Sequence, residues 1–162
     1  MGYYGIDVTD PADPKPLWEL TPETAGTQGR VGYSFSNPII TKRPQVGTEG
    51  GDWVVIASSG YNTPDGQGAM YVLNALTGAV ISRTDTGVGT ASSKVGLGKL
   101  SAWNESTAGI GSETRYVYGG DIEGNVWKFD ITPGLDASTR IKKLATLRSE
   151  AGAVQAITAA PV

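Results

Sequence analysis

The sequence predicts an all-β protein built as a segment of a β-propeller, in which four-stranded sheets are arranged as blades. One short strand pattern occurs three times without gaps, at Tyr3–Asp7, Met70–Asn74 and Val126–Asp130, and each copy ends in Asp or Asn. The 162 residues include 23 glycines and 9 prolines, which indicates many turns and therefore short strands. No long stretch has the apolar period of about 3.6 residues that is typical of an amphipathic helix.

The third copy belongs to the most informative stretch, Tyr116–Ile131. Two short strands are predicted here, joined by a tight turn rich in Gly, Asp and Asn. Alternation places Trp127, Phe129 and Ile131 on one face of the second strand. The predicted core comprises equivalent residues of the three copies and two flanking valines: Tyr4, Ile6, Tyr71, Leu73, Trp127, Phe129, Val55 and Val117.

The composition excludes several classes of function. The net charge is −3 and no basic patch stands out, which disfavours nucleic acid as a partner. The absence of Cys and His excludes disulfides, thiolate nucleophiles, Ser-His-Asp triads and ordinary zinc sites within the chain. No apolar run approaches the ~20 residues of a membrane helix, so we expect no membrane insertion. The first residues lack the features of a signal peptide, so the signal of an exported protein would lie outside this chain.

The strand and turn signals divide a single partial propeller domain, 1–162, into blade units. Residues 1–30 supply the outer half of a blade, 31–86 and 96–148 each supply a four-stranded blade, and 153–162 begins a further one. Because the pattern starts and stops in mid-blade, we expect part of a larger ring with unpaired strand edges at both ends. These edges are expected at Gly2–Val8 and Val154–Val162.

The oxygen-rich motifs are explained better by structure than by chemistry. Asn62–Gly66 contains Pro-Asp-Gly, which forms turns, and one Asp with one Asn is a poor cation site. Asp7, Asn74 and Asp130 end equivalent strands, where capping of the following turn explains the recurring side chain. These residues are therefore predicted to be structural.

The glycine pairs and most of the tryptophans also have structural explanations. Gly87–Gly89 and Gly96–Gly98 lack the strand-turn-helix setting of a dinucleotide site and are predicted to be flexible connectors. Trp53 and Trp127 lie in apolar strands and are predicted to be core, whereas Trp103, beside a polar loop, is the one candidate for an exposed carbohydrate platform. No residue is predicted to be catalytic, to bind a cofactor or to ligate a metal.

Four blocks of the chain occur in the same order in a known family. They are G-Y-Y-G-I-D-V-T-D-P at 2–11, W-V-V-I followed by S-G-Y-N within 53–62, T-G with D-T-G-V-G within 77–89, and Y-V-Y-G-G-D-I-E-G-N-V-W-K-F-D at 116–130. With these blocks the chain resembles the C-terminal β-propeller domain of the PilY1/PilC family, proteins associated with the tips of bacterial type IV pili. The resemblance implies a modified seven-bladed propeller, of which this chain would cover about a third.

The resemblance also implies a function and a location. It implies a non-enzymatic interaction module that acts in pilus biogenesis, in opposing retraction and in adhesion. The implied partners are pilus subunits or minor pilins, a host or abiotic surface, and the remaining propeller blades or further copies joined through open strand edges. The implied location is the cell surface or the secreted, pilus-associated fraction.

One departure from the family concerns calcium. Many members carry an Asp-rich calcium loop just before the block that matches Tyr116. The corresponding stretch here, Asn104–Thr114, has no Asp and only two glutamates, Glu105 and Glu113. Calcium takes about six to eight oxygen ligands, usually from several neighbouring carboxylates. We therefore expect no calcium at this loop and no cofactor.

Two alternatives to the interaction module are kept. The segment Gly68–Gly78, G-A-M-Y-V-L-N-A-L-T-G, is close to the blade repeat of quinoprotein dehydrogenases, which bind pyrroloquinoline quinone (PQQ). Against this enzyme, Ser82 stands where that repeat has Trp, and no carboxylate cluster for the quinone's calcium is visible. The other alternative is a scaffold propeller of outer-membrane assembly.

Overall fold

A computed structural model describes residues 2–24, 26–104 and 113–161 and confirms the all-β prediction. These residues form twelve strands and no helix, so none of their segments is a helix that could cross a membrane. In chain order the strands are β1 Tyr3–Asp7, β2 Lys15–Leu20, β3 Ile39–Lys42, β4 Gln45–Val46, β5 Glu49–Gly50, β6 Trp53–Ser58, β7 Ala69–Asn74, β8 Val80–Asp85, β9 Leu100–Asn104, β10 Thr114–Gly120, β11 Asn125–Asp130 and β12 Ile141–Thr146.

The strands form two four-stranded antiparallel sheets and two hairpins. The sheet β3-β6-β7-β8, here the first blade, and the sheet β9-β10-β11-β12, here the second blade, are both meanders. The pair β1-β2, here the leading hairpin, forms a sheet of its own. The small hairpin β4-β5 lies in the connection between β3 and β6.

The leading hairpin packs on one face of the first blade. Val55, Tyr71 and Leu73 of the blade belong to one buried cluster with Tyr3 and Leu20 of the hairpin. Neighbouring residues on a strand point to opposite faces, so this cluster accounts for every second residue of β6 and β7. The other residues of those strands must therefore be buried against a different layer.

The second blade is that layer. Ile56 and Met70 of the first blade belong to a second buried cluster with Val117, Trp127 and Phe129 of the second blade. The two central strands of the first blade are thus covered on both faces, which explains the continuous apolar run in β6. The described chain is a stack of three layers with the first blade in the middle.

Trp18 fastens the leading hairpin to the first blade. Its indole Nε1 donates a hydrogen bond to the carbonyl oxygen of Ala75 at 2.9 Å. Its ring lies against Gly78, whose φ is +68° and where an added Cβ would come within 2.4 Å of the ring. Glycine is therefore required at this position both for its backbone conformation and for the close approach. The Tyr3 hydroxyl adds a second link by donating to the Ser58 carbonyl oxygen at 3.1 Å.

A buried carboxylate organises the β10-β11 turn. The Oδ1 atom of Asp121 accepts the backbone N–H groups of Glu123 and Asn125, both at 2.9 Å. Its Oδ2 atom accepts the indole N–H of Trp127 at 2.8 Å. One carboxylate therefore closes the turn and orients the largest side chain of the second blade's core. The sequence predicted the turn and the burial of Trp127 but not this link between them.

Most of the predicted core is confirmed. Six of the eight predicted residues are buried: Tyr71, Leu73, Trp127, Phe129, Val55 and Val117. Tyr4 and Ile6 are wrong, because they are 71% and 47% exposed. In the repeated strand pattern, Tyr4 and Ile6 are equivalent to Tyr71 and Leu73, which are buried under the leading hairpin. Tyr4 and Ile6 share the corresponding side of the leading hairpin, but no described residue forms a layer over that side.

Two further expectations are corrected. Trp53 is not core but 62% exposed. It lies at the first position of β6, and the cluster under the leading hairpin includes Val55 and Ala57 but does not extend to it.

In addition, 154–158 is not a strand. It forms one isolated bridge, between Arg148 and Val154, and the Ile157 N–H donates to the Asp121 carbonyl oxygen at 3.0 Å.

Truncation of Phe129 tests this packing. Phe129 is fully buried between the two blades, so Phe129→Ala should lower the free energy of unfolding by about 3–5 kcal/mol, measured by denaturant titration. Leu76 is 74% exposed, and the matched change Leu76→Ala should cost less than about 0.5 kcal/mol. A loss below about 1 kcal/mol for Phe129→Ala would show that the two blades do not pack on this face.

Candidate interaction surfaces

The recurring strand-end residues have the structural role that the sequence predicted. Oδ1 of Asp7 accepts the Thr9 N–H at 2.8 Å, and Oδ1 of Asp130 accepts the Thr132 N–H at 2.9 Å. Oδ1 of Asn74 likewise accepts the backbone N–H groups of the two residues after Ala75, both at 3.0 Å. Hydrogen bonds from the Thr9 hydroxyl and N–H lower the pKa of Asp7. All three side chains cap a turn after a strand.

The loop Asn62–Gly66 is also a structural turn. The Gly66 N–H donates to the Thr63 carbonyl oxygen at 3.1 Å, which closes the turn around Pro-Asp. Asp65 then forms an ion pair with Arg30, with Nε and Oδ2 2.5 Å apart. Arg30 also forms an ion pair with Asp85. Its guanidinium therefore links the loop before the first blade to Asp65, which precedes β7, and to Asp85, which ends β8. Asp65 and Asp85 are therefore both paired with Arg30, a cation of the protein itself.

Tyr71 belongs to the same region. Its hydroxyl donates to the Arg30 carbonyl oxygen at 2.8 Å from inside the first blade's core. Burial raises the pKa of Tyr71, so the phenol stays neutral and keeps its proton for this hydrogen bond. The polar contacts around Arg30 therefore stabilise the fold.

The glycine-spaced stretch Gly96–Gly98 is not a free connector. Leu97 N–H donates to the Gly60 carbonyl oxygen at 3.0 Å, and Gly98 N–H donates to the Gly120 carbonyl oxygen at 2.8 Å. The prediction of a flexible segment is therefore wrong here, because its backbone is hydrogen-bonded to the first blade on one side and to the second on the other. The signal was ambiguous, since glycine permits close packing as readily as mobility.

The stretch predicted to lack calcium falls largely outside the described residues, because 105–112 are not among them. At its borders, the Thr114 hydroxyl is hydrogen-bonded to the Thr41 hydroxyl at 2.7 Å and donates to Asn104 Oδ1. Within 2–24, 26–104 and 113–161, no group of three or more acidic residues is close enough together to hold a metal ion.

The leading hairpin exposes an apolar face, here the leading face, made by Tyr4, Ile6 and Glu19. Tyr4 and Glu19 are directly opposite each other in the β1-β2 register, so they share this side. Among the described strands β1 pairs only with β2, and its other edge has no ladder partner. The leading face therefore combines exposed apolar side chains, an acidic residue and an open strand edge.

The second blade exposes a different face, here the trailing face, made by Trp103, Tyr116, Tyr118, Lys128 and Lys142. Trp103 is 60% exposed, as expected for the one tryptophan considered as a platform, and lies opposite Tyr116 in the sheet. The Lys128 ammonium lies 3.5 Å from the centroid of the Tyr116 ring, a cation–π contact. Lys128 is directly opposite Lys142, although like charges at paired positions are destabilising. The trailing face is therefore aromatic and basic.

Stacked four-stranded meanders with an uncovered face at each end define a segment of a β-propeller. The chain belongs to the family of the PilY1 beta-propeller domain, whose model matches residues 1–162. This agrees with the family resemblance found in the four sequence blocks.

Individual relatives support the assignment. The chain is 29% identical over 180 aligned positions to the type IV pilus biogenesis factor PilY1 of Pseudomonas aeruginosa, a match that covers 99% of this chain and 14% of that protein. It is 30% identical to a PilY1 homolog of Xylella fastidiosa, over 99% of this chain and 12% of the homolog. The chain thus spans about an eighth of the length of these curated relatives.

A solved structure shows the same fold. The crystal structure of the Pseudomonas aeruginosa PilY1 C-terminal domain matches with a TM-score of 0.74 and 28% sequence identity. The match covers 99% of this chain and 34% of that domain. This share agrees with the sequence prediction that the chain represents about a third of a propeller.

Proposed function

We propose that this domain is a non-enzymatic interaction module of a type IV pilus-associated surface protein, acting in pilus biogenesis and in adhesion. The observation that carries the proposal is the match of one family's propeller model to the whole chain, with relatives that are named as pilus biogenesis factors. The proposed partners are pilus subunits, including minor pilins, and the surface to which the bacterium adheres. The proposed location is the pilus-bearing cell surface.

The contacts of the polar residues support a binding role over the quinoprotein alternative. Asp65 and Asp85 are paired with Arg30, Asp121 is enclosed by its own turn, and Asp130 caps a strand. A quinone enzyme needs carboxylates that are free to hold calcium beside the cofactor. Each of these carboxylates instead has a structural partner.

The leading and trailing faces support a further part of the proposal, contact with other blades. In the first blade, the side that carries Tyr71 and Leu73 is covered by another sheet. The equivalent side of the leading hairpin carries Tyr4 and Ile6 and needs the same cover. We infer that other blades, or in their absence a second copy of the chain, pack against it.

Pilin binding is the direct test of the proposed function. The purified chain, immobilised on a sensor surface, should bind purified major or minor pilin subunits saturably, with a Kd in the micromolar range that is typical of transient interfaces. Leu76→Ala, a change at an exposed residue, should bind equally well. Failure of every pilin to bind at about 100 μM, with the chain folded, would favour the outer-membrane scaffold instead.

Calcium and the quinone give a second test. Calorimetric titration of the chain with micromolar calcium, alone and with PQQ, should give no saturable heat and no rise in melting temperature, because Asn104–Thr114 lacks the clustered carboxylates that calcium requires. Saturable calcium binding that Glu113→Gln abolishes would overturn the expectation for this loop. A bound-quinone absorbance with alcohol oxidation would overturn the non-enzymatic proposal.

Self-association tests the inference about the leading face. Light scattering should show that the chain assembles beyond its 16.8 kDa monomer as its concentration rises. The double change Tyr4→Lys and Ile6→Lys should weaken assembly by about tenfold or more, since each apolar side chain contributes about 1.5–3 kcal/mol when buried. Leu76→Lys, which changes an equally exposed apolar residue outside this face, should assemble normally. A wild-type monomer at all concentrations would contradict the inference.

A further inference from the structure

A cavity of about 360 Å³ lies between the two blades. One wall is formed by the β4-β5 hairpin and by the start of β8, and the opposite wall by the connection from β11 to β12. The two walls meet where Gly50 approaches Pro133, since an added Cβ at Gly50 would lie 2.9 Å from the proline ring. Small-molecule sites have volumes of about 300–1,000 Å³, so this cavity is large enough for one small ligand.

Arg140 lines the cavity and, among the described residues, its guanidinium is only partly used by the fold. The guanidinium of Arg140 is positioned by its Nε–H, which donates to the Leu135 carbonyl oxygen at 2.7 Å. No carboxylate of the described residues forms an ion pair with it, so its two outer nitrogens are available. Arg43, on the opposite wall, differs because its Nη2 lies 2.9 Å from Oδ2 of Asp52. Arg140 can therefore receive a carboxylate through two parallel hydrogen bonds.

The remaining lining is also polar. Glu49 and Asp52 present carboxylates, and Thr48 and Ser82 present hydroxyls. Carboxylates and hydroxyls accept hydrogen bonds from ligand hydroxyl groups, but the two acids repel a compact multivalent anion such as phosphate. A neutral polyol, in turn, would leave Arg140 without its counter-charge.

We propose that this cavity binds a small polyhydroxylated carboxylic acid, of the size and class of an acidic monosaccharide. Its carboxylate pairs with Arg140, and its hydroxyls donate to Asp52 and Glu49. The site is formed entirely by the two complete blades, so it does not depend on any neighbouring layer.

Calorimetry with three probes tests the ligand class. Glucuronate should bind the 162-residue chain saturably at millimolar concentration or below, and at least about tenfold more tightly than glucose, which lacks the carboxylate, or inorganic phosphate, which lacks the polyol. Phosphate binding as tight as that of glucuronate would overturn the polyol part of the proposal. Absence of glucuronate binding at about 20 mM would overturn the site.

Two variants test the role of Arg140. Arg140→Gln should weaken glucuronate binding at least about tenfold, whereas Lys142→Gln, which removes the same charge from a residue that does not line the cavity, should leave it unchanged. Equal losses in Arg140→Gln and Lys142→Gln would overturn the proposal.

Discussion

Face-to-face packing of sheets is the constraint on which the structure depends. A sheet with apolar residues on both sides needs a neighbour on each side, and among the described layers only the first blade has two. Tyr71 and Leu73 are buried under the leading hairpin, while Ile56 and Met70 are buried under the second blade. The hairpin and the second blade each have one covered and one uncovered face, so the fold of the whole chain rests on the two sides of the first blade.

Buried polar groups define how these layers are joined. Asp121 closes a turn and holds Trp127, which packs toward the first blade. Trp18 reaches from the hairpin to a carbonyl oxygen in the first blade, and Tyr71 reaches from that blade to the loop at Arg30. In each case an aromatic side chain supplies both apolar area and one directed hydrogen bond. This combination fixes the orientation of a layer, which apolar contact alone would not do.

The sequence was sufficient to predict features that depend on local pattern. The three strand copies, the turns capped by Asp7, Asn74 and Asp130, and the buried face of β11 follow from alternation and turn chemistry, and all are present. The exposure of Tyr4 could not be predicted, because it depends on whether another layer covers that side. The same limit applies to Trp53, whose position at a strand end decides its burial.

The candidate sites differ in how much of them the sequence could reveal. The structural roles of Asp65 and Asp130 were predicted because turn formers carry a clear local signature. The cavity at Arg140 was missed, because its walls come from segments about 50–100 residues apart and none of these segments has a motif of its own. The unpaired side of the Arg140 guanidinium becomes visible only when the surrounding atoms are placed.

The uncovered faces and the cavity belong to different kinds of interaction. Tyr4 and Ile6 occupy positions that blades bury against one another, so this face is suited to contact within a propeller. The aromatic and basic trailing face is equivalent to the side of the first blade that carries Ile56 and Met70, and that side is also covered by a blade.

Contacts with molecules outside the propeller must then use the ends and outer edges of the sheets. The edge strand β12 carries Lys142 and Lys143, and lysines on an edge oppose strand addition by other chains. Recognition is therefore expected at the ends of the sheets, where the loops of both blades meet around Arg140.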